Sequence, residues 1–142
     1  MGQIMWIVYG LLAAVTAALM TITGKIGLKT VDPTLATAIR SMFMFLFMVV
    51  TVAASGKFQT ITKLQTKDWG VIALAGIFGA ASWLFYFLGL RATSASKLAA
   101  LDRLSLPMII LFSVIFLAEK ISWQLVVGGI MVTIGAILVA LA

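Results

Sequence analysis

The sequence of 142 residues contains no cysteine, no histidine and only four acidic residues. Without cysteine the chain has no disulfide, no thiolate nucleophile and no sulfur ligand for a metal. Without histidine it lacks the commonest metal ligand and the side chain that most readily changes charge near neutral pH. The chain therefore lacks the side chains that enzymes use most often, and we expect no catalytic residues, no metal site and no cofactor.

Charged residues of both signs are also scarce, at 10% of the chain against 63% hydrophobic residues. Soluble domains carry about 25% charged residues, so this chain has too few polar groups to cover a surface in water. The net charge of +6 comes from Lys and Arg that lie between the apolar runs, as in membrane proteins. We therefore expect lipid around the protein and no nucleic acid partner.

The apolar residues form long continuous runs. A helix needs about 20 mostly apolar residues to cross the ~30 Å hydrocarbon core of a bilayer. Five runs meet this length, at residues 4–26, 33–54, 69–90, 96–117 and 122–141. The runs lack the alternation of barrel strands, and the first is too long for the core of a cleaved signal. The sequence predicts an all-α integral membrane protein, one transmembrane domain over residues 1–142, with its termini on opposite sides.

The connections and the ends of the runs beside them carry the same number of basic residues on both sides of the membrane. One side has Lys57, Lys63, Lys67 and Lys120, and the other has Lys25, Lys29, Arg91 and Lys97. The positive-inside rule needs an excess on one side to orient a chain. Two interpretations stay open: the chain inserts in both orientations, or the loop with three lysines is cytoplasmic.

Three charged residues lie well inside the runs, away from their ends, where each costs about 2.5 to 3.5 kcal/mol if it faces lipid. Arg40 lies about 10 Å along its predicted helix, and Asp102 and Arg103 lie at a similar depth in the fourth run. In one interpretation Arg40 and Asp102 form an ion pair while Arg103 reaches the interface. In the other, all three line a substrate path, and Asp102 is the internal proton carrier.

Other candidate site residues are aromatic or polar. Trp83 and Tyr86 lie three residues apart on one helix face beside Ser82, which suits either a cavity wall or ordinary packing. Pro107 predicts a kink in the fourth helix, and bent helices occur at transporter binding sites as well as in plain architecture.

Two more charged residues are weaker candidates. Lys97 lies near the membrane interface, where a lipid phosphate suits it. Glu119 lies in a short turn before Ser122, which we expect to cap the fifth helix.

Several motifs resemble one transporter family. They are, in chain order, residues 31–33 (VDP), 35–41 (LATAIRS), 82–86 (SWLFY), 95–97 (ASK), 101–105 (LDRLS) and 116–120 (FLAEK). Together they resemble the EamA-type part of the drug/metabolite transporter superfamily, in its short five-helix bacterial and archaeal branch. The resemblance implies a transporter without ATP-binding parts, built as the half-unit of an inverted-repeat fold and completed by a second copy.

The sequence also departs from that family. Residues 17–21 replace an aromatic-glycine-proline element, and Ala118 replaces a glycine before Glu119. The first run lacks the membrane glutamate of the small multidrug-resistance branch, so cationic-drug export is not implied.

The favoured function is secondary transport of a small-molecule metabolite across the cytoplasmic membrane, by alternating access in a homodimer whose copies are antiparallel. Asp102 would carry a proton or fix Arg103 and Arg40, and Trp83 and Tyr86 would contact the solute. A flippase for a lipid-linked head group and a non-transporting membrane subunit of a partner complex are the alternatives.

Overall fold

The computed structural model describes residues 2–142, with side chains from Ile4 onward. The regular elements of this range are all helical: α1 Gly2–Gly27, α2 Pro33–Ala54, a 3₁₀ helix Lys57–Lys63, α3 Thr66–Ala92, α4 Ala95–Asp102, α5 Ser105–Leu117 and α6 Trp123–Leu141. Five stretches are long and apolar enough to cross a membrane: Ile4–Gly27, Pro33–Ala54, Thr66–Ala92, Ala95–Leu117 and Trp123–Leu141. The prediction of an all-α membrane protein with five spans is confirmed.

Polar side chains fix where three of the helices begin. The Asp32 carboxylate accepts hydrogen bonds from the backbone N–H groups of Thr34 and Leu35, at 2.9 and 3.2 Å, and caps α2. Ser94 caps α4, and Ser122 caps α6 by accepting from the Leu125 N–H at 3.2 Å. Such side chains replace the partners that the first N–H groups of a helix lack. The predicted cap at Ser122 is confirmed.

The described chain divides into two compact units. The first comprises the residues up to Ile26 together with Ala92–Ala142, and the second is Gly27–Arg91. In the first unit α4 and α5 both pack against α6, and in the second unit α2 contacts the 3₁₀ helix. The single domain over residues 1–142 stays a prediction, and Met1 lies outside the described residues.

The fourth span is two helices rather than one. Arg103 and Leu104 form a turn between α4 and α5, and their N–H groups donate to the carbonyls three residues earlier, each at 3.0 Å. Pro107 has no N–H for the Arg103 carbonyl, which accepts instead from the Leu106 N–H at 3.0 Å. The sequence predicts a kink at Pro107, whereas the structure places the interruption one turn earlier.

Few side chains are buried within the chain. The buried hydrophobic residues of the described range are Leu28, Phe87, Leu90 and Ala136. Two buried threonines, Thr21 and Thr37, donate their hydroxyl protons to carbonyls of their own helices at 2.9 and 2.7 Å. The large apolar side chains that remain exposed on all five spans fit a lipid environment.

Candidate functional site

The predicted site residues fall into two sets, one in each compact unit. Arg40, Ser82, Trp83 and Tyr86 belong to the second unit. The first unit holds the other five: Lys97, Asp102, Arg103, Pro107 and Glu119.

In the second unit, Arg40 of α2 stacks on aromatic rings of α3. Its guanidinium carbon lies 3.8 Å from the centroid of the Trp83 ring and 5.4 Å from that of Phe87. The Trp83 ring meets Tyr86 edge to face, with centroids 5.6 Å apart, and meets Phe87 in the same manner at 6.3 Å. Helical spacing explains the group, because residues three and four apart share a face. We call these four residues the arginine–aromatic cluster.

The cluster accounts for how a cation is tolerated inside a membrane span. A desolvated cation–π contact contributes about 2 kcal/mol or more, close to the lenient estimate of about 2.5 to 3.5 kcal/mol for placing Arg at the membrane centre. The flat and weakly hydrated guanidinium is suited to such stacking. The one-face prediction for Trp83 and Tyr86 is seen in the structure, while Ser82 is exposed on α3.

Sequence reasoning missed two features of this cluster. It did not pair Arg40 with Trp83, and it did not include Phe87, which is 3% exposed. The available signal was an arginine in one span together with aromatic residues at i, i+3 and i+4 in another. That spacing defines a ring-lined face but does not say which neighbouring helix meets it.

In the first unit, two charged residues lie at the break in the fourth span. Asp102 is the last residue of α4 and Arg103 follows in the turn, and both side chains are exposed. Exposed charges within a span face a water-filled cavity, a partner or the interface rather than lipid. Lys97 and Pro107 are half-buried on either side of the break.

Glu119 lies apart from this break, in the turn between α5 and α6. Its N–H donates to the Ser113 carbonyl at 3.3 Å, and its side chain is exposed. The turn follows Ala118, which has left-handed backbone angles of φ 53° and ψ 32°. This position suits the simple turn that the sequence favoured for Glu119.

A groove of about 260 Å³ lies between α1 and α4 within the first unit. Alanines form most of its walls, among them Ala17 of α1 and Ala99 of α4. Thr21 and Ser96 add hydroxyl groups, and Arg103 is the charged residue in the lining. We call this the α1–α4 groove. Asp102 does not line it, although it precedes Arg103 in the chain.

This groove was hardly predictable from the sequence. The chain departs from its family resemblance at residues 17–21, and the sequence singled out no site residue in α1. The small residues of α1 lie at i, i+3, i+4 and i+7 on one helix face, which is also the spacing of close helix packing. Close helix packing and a groove between helices both produce this pattern of small residues, so the structure is needed to distinguish them.

Comparison with known proteins gives two matches over nearly the entire chain. Residues 4–141 match the EamA-like transporter family. A protein from Sinorhizobium sp. described as an uncharacterized transporter in the cobO 3' region is 35% identical over 135 residues, or 95% of this chain and 96% of the relative. No solved structure matches the chain. Both matched regions include the arginine–aromatic cluster and the α1–α4 groove.

Proposed function

Because this chain belongs to the EamA-like transporter family, we propose that it moves a small metabolite across the cytoplasmic membrane by alternating access, without ATP. The observation that carries this proposal is the break in the fourth span at Arg103 and Leu104, beside Asp102. Secondary transporters bind substrates and coupling ions at discontinuous helices near the membrane middle. The longest connection between described spans holds only the short 3₁₀ helix, which leaves no room there for a nucleotide-binding domain.

Asp102 has the coupling role in this proposal. The sequence has four acids, and Asp32, Asp68 and Glu119 lie at or beyond the ends of the spans. Asp102 is the one acid well inside a span, so it carries a proton or positions Arg103. Trp83 and Tyr86, with Arg40 stacked on them, are proposed to contact the solute.

Transport measurements in proteoliposomes test the coupling role. A pH-sensitive dye inside the vesicles reports proton movement as organic acids, amines and neutral metabolites are added outside. Asp102→Asn is expected to abolish proton-coupled accumulation, because the amide cannot carry the proton, while Glu119→Gln serves as the matched control. Uptake and pH dependence that survive in Asp102→Asn would reject the assignment.

A homodimer is the proposed assembly, with its two copies antiparallel. The exposed charges Asp102 and Arg103 need a polar or protein neighbour within the membrane. Equal numbers of basic residues on both sides permit insertion in both orientations, and two opposed copies would reproduce an inverted repeat.

The absence of cysteine makes orientation directly measurable. A Gln59→Cys variant carries one thiol in the exposed connection between α2 and α3 and keeps every basic residue, and a membrane-impermeant maleimide labels it from outside intact cells. Dual insertion predicts labelling of about half the molecules, and full labelling after permeabilisation is the control. Labelling of none or all of the intact-cell molecules would exclude dual insertion.

The open α1–α4 groove also suits a flippase for a lipid-linked head group. Stimulated scrambling of such a lipid in vesicles, without flux of soluble solutes, would favour that function. The third alternative is a non-transporting subunit, and purification of a stable, transport-competent self-dimer would argue against it.

A further inference from the structure

We propose that the α1–α4 groove binds a compact organic anion, a molecule with one negatively charged group on a small apolar body. That this anion is transported rests on the function proposed above. That the groove binds it depends only on the groove itself. The charge of the groove, the chemistry of its walls and its size all favour such a ligand.

The charge at one end of the groove is positive and is not neutralised within the lining. Arg103 lines the groove, whereas Asp102, the adjacent acid, does not. A guanidinium is always charged and presents several N–H donors in one plane, which fits a carboxylate or sulfonate. The attraction strengthens as a bound ligand displaces water from around the guanidinium. A cationic ligand would meet repulsion at the same place.

The other end of the groove is also positive. Ala95 and Ser96 line it, and they are the first residues of α4, whose N-terminus carries the positive end of the helix dipole. The Lys25 ammonium group does not line the groove, but it donates to the carbonyl of Thr93, two residues before Ala95, at 2.7 Å. Among the described residues that line the groove, Arg103 and the start of α4 therefore supply positive charge, and no acid lines it.

The walls between these ends limit what else the ligand can be. Ala17, Ala18 and Ala99 offer only methyl groups, which cannot hydrogen-bond to a polar body. The groove has a volume of about 260 Å³. Pockets for drug-sized ligands are larger, at about 300–1,000 Å³. Small aryl or short alkyl anions meet both limits, whereas sugars and nucleotides carry too many hydroxyl or phosphate groups.

A set of three matched aryl probes tests the charge preference. Benzenesulfonate is a permanent anion, benzenesulfonamide is its neutral counterpart, and phenyltrimethylammonium is a permanent cation. The thermal unfolding midpoint of the full chain in nanodiscs reports binding, because a ligand of the folded state raises it. Benzenesulfonate is expected to raise the midpoint saturably, and the other two probes are expected to leave it unchanged.

Two pairs of variants locate the binding. Arg103→Gln is expected to weaken the benzenesulfonate affinity at least tenfold, whereas Arg103→Lys retains part of it. Ala17→Leu fills the groove without changing any charge and is expected to abolish binding, whereas Ala13→Leu lies on α1 outside the lining and is expected to retain it. If Arg103→Gln does not fold, the comparison of Ala17→Leu with Ala13→Leu still shows whether benzenesulfonate binds in the groove.

Flux of the same probes into proteoliposomes separates the two proposals. Benzenesulfonate that binds but does not enter supports the anion site and rejects the bound anion as a transported solute. Entry of the cation or the neutral probe, without benzenesulfonate binding, supports transport and overturns the anion site. Two other results would overturn the anion site. In the first, no probe binds, as expected if lipid fills the groove. In the second, Arg103→Gln and Ala17→Leu both leave the benzenesulfonate-induced shift of the unfolding midpoint unchanged.

Discussion

The guanidinium carbon of Arg40 lies 3.8 Å above the ring of Trp83, and both residues belong to membrane spans of the same compact unit. The contact joins α2 to α3 through a charge that would otherwise be costly in hydrocarbon. Tyr86 and Phe87 meet the same indole edge to face, so the ring that Arg40 contacts is packed against two further aromatic rings. This contact gives the first of four predictions.

Arg40 and Trp83 are expected to be energetically coupled. A double-mutant cycle with Arg40→Met and Trp83→Leu should give a coupling free energy of about 1 to 2 kcal/mol, because the contact is partly desolvated. The measurement is the free energy of unfolding in mixed detergent micelles. Trp69→Leu, on the same helix but exposed near its start, should show no coupling to Arg40→Met. Strictly additive effects of Arg40→Met and Trp83→Leu would contradict the prediction.

Asp32 is expected to stabilise the protein through its helix cap rather than its ion pair. Its carboxylate lies 3.7 Å from Arg91, but the two side chains are 60% and 58% exposed, and exposed pairs contribute about 0 to 1 kcal/mol. Asp32→Ala should cost about 1 kcal/mol of unfolding free energy. Asp32→Asn keeps a capping oxygen and Arg91→Gln keeps the cap intact, so each should cost distinctly less. A loss in Arg91→Gln equal to that in Asp32→Ala would assign the effect to the ion pair.

Ala118 is expected to be a strained position that glycine would relieve. Its φ of 53° lies in the left-handed region, which costs a residue with a side chain roughly 1 to 2 kcal/mol. Ala118→Gly should therefore raise the free energy of unfolding by about 1 kcal/mol. Gly56 also has left-handed backbone angles, with φ 65°. Gly56→Ala should therefore lower the free energy of unfolding by a similar amount. The prediction fails if Ala118→Gly lowers stability.

Two neighbouring glycines of α6 are expected to differ in how alanine changes the free energy of unfolding. A Cβ at Gly129 would lie 3.0 Å from the Cδ1 atom of Ile110 on α5, whereas a Cβ at Gly128 would meet nothing within 4 Å. Gly128→Ala should stabilise the helix by about 0.5 to 1 kcal/mol. Gly129→Ala should be less stable than Gly128→Ala by about 1 to 3 kcal/mol, because the added methyl overpacks the interface.

A compensating substitution checks the cause of that difference. Ile110→Val removes the Cδ1 atom, so the Gly129→Ala/Ile110→Val double variant should recover most of the lost stability in the same unfolding assay. Equal unfolding free energies for the two single alanine variants would show that α5 and α6 do not approach closely at this point.

The five spans could be predicted from the sequence because the bilayer imposes a minimum length on every apolar run. Helix boundaries were less predictable where the first turn is polar. Helix α3 begins at Thr66 rather than Trp69, and the Asp68 carboxylate accepts from the Gln65 N–H at 2.9 Å just before the helix. Hydropathy counts such residues as loop, although their side chains stabilise the start of the helix.

The candidate sites were predictable in part. The cost of charge in lipid singled out Arg40, Asp102 and Arg103, and helical spacing placed Trp83 and Tyr86 on one face. The Arg40–Trp83 contact depends on how α2 and α3 are aligned, and the shape of the groove depends on how far α1 stands from α4. These are properties of helix packing, which one sequence does not contain.

The scarcity of buried side chains has a consequence for how this protein tolerates change. Leu90 is fully buried, so its neighbours constrain its size and shape. An apolar residue that faces acyl chains has only fluid neighbours, which accept leucine, isoleucine, valine or phenylalanine with little preference. Exchanges of one apolar residue for another should therefore change the stability of the protein little along most outward faces of the spans. Intolerance should concentrate at a few points where one protein atom meets another, such as the Arg40–Trp83 stack and the Gly129–Ile110 approach.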